Sequence, residues 1–390
     1  MFRHPTTRAG ALALGVLAAG LATVLATGCS APGKSSSSGS TAGSGPIKIA
    51  VIDAQSGQLS SLGAWESKGA RLAVDEWNKK GGINGRKIQL DVFDDQGDPT
   101  VGTNLARKIV SEGYLAMIGT AESAVTIAMA PTLQQAQIPN ITSGQSTGLV
   151  AVKRPFLFLN GPTSTTYDET LAKYVVDTKG IKNIAMITNN GSFGKGEHDA
   201  FLKSLSSRGI TPLTDQVVTT DQKDFSSQLT TIRQKNPQLV FIGSEEVEAG
   251  LIVKQARDLG ITVPFAGSAP QGTPVFASTA GTANVEGTIV SSPYLGNDVS
   301  DASRTFAAAY KAAYNEVAEL HGAKAYDGTN IVLTALKTSN VGTGTKLADA
   351  IRATKYQGLL GTFAFDATGV GIFATAIGTI TGGKLVAVGS

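Results

Sequence analysis

Cysteine is the scarcest residue type in this 390-residue chain, with Cys29 as its sole representative. One thiol excludes an intramolecular disulfide framework and a zinc site built on cysteines. The three histidines, His4, His198 and His321, lie far apart and form neither HExxH nor HxH spacing. No metal or cofactor is therefore expected. Charge is also sparse: 16% of residues are charged, the net charge is +3, and no basic cluster stands out. That argues against nucleic acid as a partner.

What the chain does have is length, apolar residues (42%) and 46 glycines. This is enough for two sizeable cores that need no metal or disulfide to fold. The N-terminal region reads differently from the rest. Arg3, His4 and Arg8 precede an uncharged run of Ala, Leu, Val and Gly over Ala9–Ala26, and small residues follow. A basic start, an apolar run and small residues before a break read as a secretory signal over 1–28. The run is rather short and rich in Ala and Gly for a permanent membrane span. Leu25–Cys29 resembles a bacterial lipobox, in which the cysteine is lipidated and becomes the mature N-terminus. Ala26 here holds the place that leucine usually takes, while Thr27 and Gly28 fit. Residues 29–46, rich in Ser and Gly, read as a flexible tether. The stretch Ser30–Pro46 would span roughly 20–25 Å root-mean-square. Lipid and tether together imply an extracytoplasmic body held at the cell membrane through Cys29.

From Ile47 the pattern alternates. Short apolar strands are expected over Ile47–Ala54, Lys87–Asp94, Leu115–Gly119 and Ile138–Thr142, and helices over Leu62–Lys80, Val101–Glu112 and Ala124–Gln137. A second series follows, with strands at Ile184–Thr188, Val217–Thr219, Leu239–Ile242 and Val263–Ala266. Its helices are Tyr167–Lys179, Phe193–Arg208, Phe225–Lys235 and Val247–Leu259. Two further helices are read at Ala302–Leu320 and Ala325–Thr338, and strands at Gly361–Asp366 and over Ile372–Ser390. Strands alternating with helices predict an α/β fold with parallel sheets. Ligands in such sheets bind off the carboxyl ends of strands.

The stretch Asn78–Gly85 (NKKGGING), then Asp94-Asp95 and Asp98-Pro99, resembles the bacterial extracellular solute-binding proteins of branched-chain amino-acid ABC importers. Ser56-Gly57 and Tyr326-Asp327 match as well, and the resemblance runs from Ile47 to about Gly383. It implies the type I periplasmic-binding-protein fold, with two doubly wound parallel-sheet lobes joined by three hinge crossings. By position, lobe 1 comprises 47–160 plus 293–374, and lobe 2 comprises 161–292 plus 375–390. Several hinge strands let two lobes close on a ligand without local unfolding.

The resemblance also implies site residues. Ser123, Gly144, Gln145 and Ser146 correspond to the cradle for a ligand carboxylate. Free N–H groups at helix starts and hydroxyls suit that task, although both serines also suit plain helix capping. Phe193 corresponds to an aromatic on the lobe 2 wall, where the family commonly has tyrosine. Trp65 sits where the ligand side chain is contacted. Ala269 occupies the place of the acid that meets a ligand ammonium, so Glu245 or Glu246 supplies the countercharge, or the ligand has no ammonium. Glu122 beside the cradle would repel a ligand carboxylate and favours a cationic or polar ligand group. The partners implied are a small solute and an ABC permease, with the protein a monomer. A sensory binding protein without a permease remains an alternative. So does a hydrolase, because Gly144–Gly148 fits G-x-S-x-G with Ser146 as nucleophile.

Overall fold

The computed structural model describes residues 45–151, 155–296 and 299–388. The signal, Cys29 and most of the tether lie outside them. Among the described residues no helix is long and apolar enough to cross a membrane.

The first sheet collects β1 (Ile47–Asp53), β2 (Ile88–Asp94), β3 (Ala116–Ile118), β4 (Asn140–Thr142) and β5 (Leu157–Leu159) in the order β2-β1-β3-β4-β5. All its pairings are parallel. Ile49, Ala50, Val51 and Ile52 of β1 are fully buried on both faces. Such unbroken apolar runs mark strands covered by helices on each side. One cover is α1 (Ser60–Lys79), α11 (Leu320–Thr338) and α12 (Gly344–Ala353), which pack Ala70, Ile331 and Leu347 onto the sheet. The other is α2 (Pro99–Ser111) and α3 (Ser123–Ala136), which contribute Ile109, Val125 and Met129. A small antiparallel sheet of β11 (Tyr356–Gly358), β12 (Gly361–Phe365) and β13 (Gly371–Ile372) adds Phe363 and Phe365 to the first cover.

The second sheet has seven strands. Its parallel part is β6 (Ile184–Asn189), β7 (Thr214–Val218), β8 (Leu239–Gly243), β9 (Phe265–Gly267) and β10 (Ile289–Ser292). The C-terminal β14 (Ala376–Thr381) and β15 (Lys384–Ala387) then join antiparallel beside β10. One face is covered by α5 (Ser164–Ala172) with its π-helical continuation Lys173–Thr178, and by α6 (Ser192–Ser206). There Phe201 and Phe241 stack with centroids 3.9 Å apart. On the other face lie α7 (Ser226–Gln234), α8 (Glu246–Asp258) and α9 (Pro274–Ala280). The short α4 (Gly148–Ala151) follows β4, and α10 (Asp301–Tyr314) precedes α11.

The α/β architecture of two sheet-centred lobes thus matches the sequence expectation. Two local readings need correction. The helix expected over Ala302–Leu320 ends at Tyr314, where Asn315 turns into the left-handed region (φ 55°). The next helix starts at Leu320 rather than Ala325, capped by the Glu319 carboxylate, which accepts from Gly322 N at 2.7 Å. That shift puts His321 in the first turn of the helix and Lys324 at the start of its second. The short strands β5 and β10 and the helices α9 and α12 had no counterpart in the sequence reading.

Turn chemistry fixes the start of the first sheet. In the glycine-rich turn Gly82 adopts φ +75°, and a Cβ there would meet Arg86 O at 2.0 Å, so only glycine closes this turn. Asp98 caps α2 by accepting from Thr100 N (2.7 Å) and Val101 N (2.9 Å), with Pro99 at the first helical position. Asp98→Ala should cost about 1 kcal/mol. Urea unfolding checks this, and an unchanged midpoint would deny the cap any weight.

Candidate functional site

The carboxyl ends of both sheets face a common cleft. Lobe 1 contributes the loop after β3, the loop after β4 and the first turns of α1 and α11. Lobe 2 contributes the first turns of α6 and α8 and the turn after β9.

The loop after β4 lies against the start of α3. Ser123 begins α3 and its Oγ accepts from Ser146 N at 3.3 Å. Gly144, Gln145 and Ser146 are all buried. Thr142 Oγ1 accepts from Gly144 N at 3.0 Å and orders the loop. Two of these residues also join the lobes. Gln145 Nε2 donates to Ser268 Oγ (2.9 Å) and to Glu197 Oε1 (3.1 Å). Ser146 Oγ donates to the Ser192 carbonyl at 2.7 Å. Gly196 of α6 lies so close that a Cβ would sit 2.8 Å from Ser146 Oγ. The cleft is closed over these contacts.

Further clasps lie outward. Ser61 of α1 donates to Glu246 Oε1 of α8. At the rim Gln58 Nε2 donates to Asp221 Oδ1 at 2.7 Å, and Lys223 Nζ donates to Gln58 Oε1.

Glu245 and Glu246 therefore differ. Glu246 is fully buried and engaged by Ser61. Burial pushes its carboxyl up to about 7, against the opposing Ser61 bond. Glu245, the residue before α8, is half-buried and its carboxylate accepts no hydrogen bond from the described residues. Burial raises it well above the carboxylate range, followed by the charges of Glu122 across the cleft and of Glu246, with His321 opposing. Glu122 is 5% exposed and raised by burial and then by Asp53 and Asp95.

Phe193 is 7% exposed in the first turn of α6 and joins none of the apolar cores among the described residues. Trp65 stacks on His321 with centroids 6.3 Å apart and 13° between planes, at the edge of an apolar cluster. Ala269, where the resemblance implies an acid, is buried in the turn after β9.

Several wall residues escaped the sequence reading. Glu66 is 1% exposed and accepts from Ser143 Oγ. Lys324, also 1% exposed, donates to Ser143 O at 2.6 Å. Burial raises Glu66 and lowers Lys324, and each partly offsets the other's shift. His321 Nδ1 lies 2.9 Å from Glu319 Oε2. In lobe 2, Glu197 and Asp168 are fully buried, with Glu197 Oε2 and both Asp168 oxygens lacking partners. Most of the charged side chains around the cleft are thus acids, with Lys324 the exception beside His321. The G-x-S-x-G serine makes its bonds to Ser192 O and Gly148 N. The histidines in the described residues bond elsewhere, His198 to Asp199 and Asp215 and His321 to Glu319.

Comparison with known proteins agrees with this architecture. A Leu/Ile/Val-binding protein (BraC3) of Rhizobium johnstonii is 32% identical over 57% of this chain and 60% of its own length. The Leu/Ile/Val-binding protein of Escherichia coli K12 is 30% identical over 63% of this chain and 67% of its own. The chain therefore spans about three fifths to two thirds of the length of these two relatives. Among solved structures, the branched-chain amino acid transporter substrate binding protein LivJ of Streptococcus pneumoniae, in complex with isoleucine, superposes with a TM-score of 0.82 at 26% identity. That match covers 88% of this chain and 99% of LivJ. The profile of the periplasmic binding protein family matches residues 46–384, and the chain belongs to that family.

Proposed function

We propose that this chain is the extracytoplasmic solute-binding component of an ABC importer, and that it captures an amino-acid-like solute between its lobes. The ligand carboxylate sits at Ser123 and the Gly144–Ser146 loop. Its ammonium meets Glu245, which takes over from the acid that Ala269 replaces. Phe193 and Trp65 flank the rest of the solute. The observation that carries this reading is the unpaired Glu245 carboxylate in a closed cleft, opposite the cradle. A half-buried carboxylate without a protein partner has lost part of its hydration, and a ligand cation offsets that loss. The Leu/Ile/Val-binding relatives and the isoleucine held by the pneumococcal structure support the same solute class.

In this reading the body is two lobes, 47–160 with 293–374 and 161–292 with 375–390, held at the membrane as a monomer by a lipid on Cys29 and the tether to residue 46. The chain makes and breaks no bonds; the closed form docks on a permease, as the family's membership in ABC import implies. A thermal-shift screen of amino acids, organic acids and amides tests the solute class, because a ligand that binds only the folded state raises its midpoint by mass action. Neutral or acidic compounds shifting the midpoint while no amine does so would overturn it. For the best hit, Ser146→Ala should weaken affinity roughly tenfold, the value of about one hydrogen bond plus one lost interlobe contact. Calorimetry reads this directly, and an unchanged affinity would remove Ser146 from the site.

A further inference from the structure

Below the cradle, the ends of β1 and β2 and the residue before α3 bring three acids together. Asp53, Asp95 and Glu122 are 0%, 0% and 5% exposed. Each offers a carboxylate oxygen within 4.8 Å of the other two. One oxygen of each, Asp53 Oδ2, Asp95 Oδ2 and Glu122 Oε1, is buried and receives no N–H or O–H of the described residues, and the Asp53 carboxylate lies within hydrogen-bonding reach of the Glu66 carboxyl. The remaining oxygens are occupied. Asp53 Oδ1 accepts from Ala54 N (3.0 Å) and Thr120 Oγ1 (3.0 Å), and Asp95 Oδ1 accepts from Gly97 N (2.8 Å). The Thr120 hydroxyl also faces Glu122 Oε2, so its single hydrogen is shared between two carboxylates. No salt bridge of the described residues reaches any of the three.

We propose that Asp53, Asp95 and Glu122 form a binding site for a calcium-sized divalent cation. Three oxygens no more than 4.8 Å apart leave a point within about 2.8 Å of all three. A small inward shift gives the 2.3–2.6 Å of Ca²⁺, whereas the 2.0–2.1 Å of Mg²⁺ needs a larger contraction and a stricter octahedron. An all-oxygen donor set without His or Cys suits a hard cation rather than zinc or copper. A cation at that point gives the three buried carboxylates a positive partner, which no ion pair of the described residues supplies. It also cancels charge that Glu122 would otherwise direct at a ligand carboxylate held by Ser123. The site stands whatever solute the cleft takes.

The test is calorimetric titration of the chelator-treated full chain with CaCl₂ at constant ionic strength, followed by thermal melts. We expect one site per chain, a midpoint that rises with Ca²⁺, and weaker binding of MgCl₂. Asp53→Asn and Asp95→Asn should each weaken Ca²⁺ binding at least tenfold. No heat and no midpoint shift for the unsubstituted chain would overturn the site, as would two folded variants that bind Ca²⁺ unchanged. If neither variant folds, an anomalous difference map from Ca²⁺-soaked crystals decides: a peak between the three carboxylates supports the site, and its absence there overturns it.

Discussion

Glu245→Gln should weaken binding of an amine-bearing solute by roughly 100-fold and leave the affinity of its deaminated analogue nearly unchanged. Truncating one partner of a buried, hydrogen-bonded charge pair costs about 2–5 kcal/mol, and 100-fold corresponds to about 2.7 kcal/mol. The lower half of that range applies because Glu245 is half-buried and water can replace part of the lost interaction. Glutamine keeps the shape and one acceptor, so the loss reports the charge. Glu246→Gln is the informative contrast. Its carboxylate receives Ser61 of the opposite lobe and so belongs to closure. That variant should weaken all ligands by a similar, smaller factor, through the open-to-closed equilibrium rather than through recognition. Calorimetry with both variants and both ligands gives the four values needed. Equal losses for amine and deaminated analogue in Glu245→Gln would remove it as the ammonium's partner.

The contrast between these neighbouring acids shows where sequence reading stopped. Position alone put both after β8 at a helix start, and it could not say which one Ser61 would reach from a distant segment. The strands were legible for a simple reason. Runs such as Ile49–Ile52 and Leu239–Ile242 are apolar throughout because helices cover both faces. Helix ends were less legible. Asn315 takes a left-handed turn that asparagine tolerates, and nothing in AAYNEVAEL marks a break as strongly as glycine or proline would. Reading the helix through that point hid the capping role of Glu319 and the cleft position of Lys324.

The missed wall residues carry a common signature. Glu66 lies at four-residue spacing between Leu62 and Ala70, and Glu197 lies likewise between Phe193 and Phe201. Residues four apart share one helix face, so each acid sits in the middle of a buried stripe. A carboxylate there is expensive unless something meets it. The same logic applies to Lys324, four residues after Leu320 and seven before Ile331. Gln145 is a different case. It was placed in the cradle, but its span to Glu197 and Ser268 depends on lobe closure, which no local pattern encodes.

Asp327 extends the argument from recognition to stability. It is 2% exposed in α11, and its Oδ2 accepts from Leu359 N (2.8 Å) and Leu360 N (3.3 Å), tying the β11–β12 hairpin to the helix. Its Oδ1 has no partner. Burial raises the carboxyl from 3.8 to about 7, although the two N–H bonds and Tyr356 oppose the shift. Between these values the folded chain holds a proton that the unfolded chain has released. Raising the pH through this window therefore destabilises the fold, and the loss is complete above about pH 7. At about 1.4 kcal/mol per pH unit this one group takes away up to about 4 kcal/mol. Glu246, raised to about 7, acts in the same direction, so the total slope is steeper. Asp327→Asn resembles the protonated acid: its carbonyl keeps both hairpin bonds, and its amide takes the place of the bare Oδ1 without a charge. Urea unfolding should find the variant close to the parent near pH 4.5 and more stable by about 2–4 kcal/mol at pH 8. Parallel pH profiles for parent and variant would show that Asp327 is ionised in the folded chain and that water, rather than a proton, serves its bare oxygen.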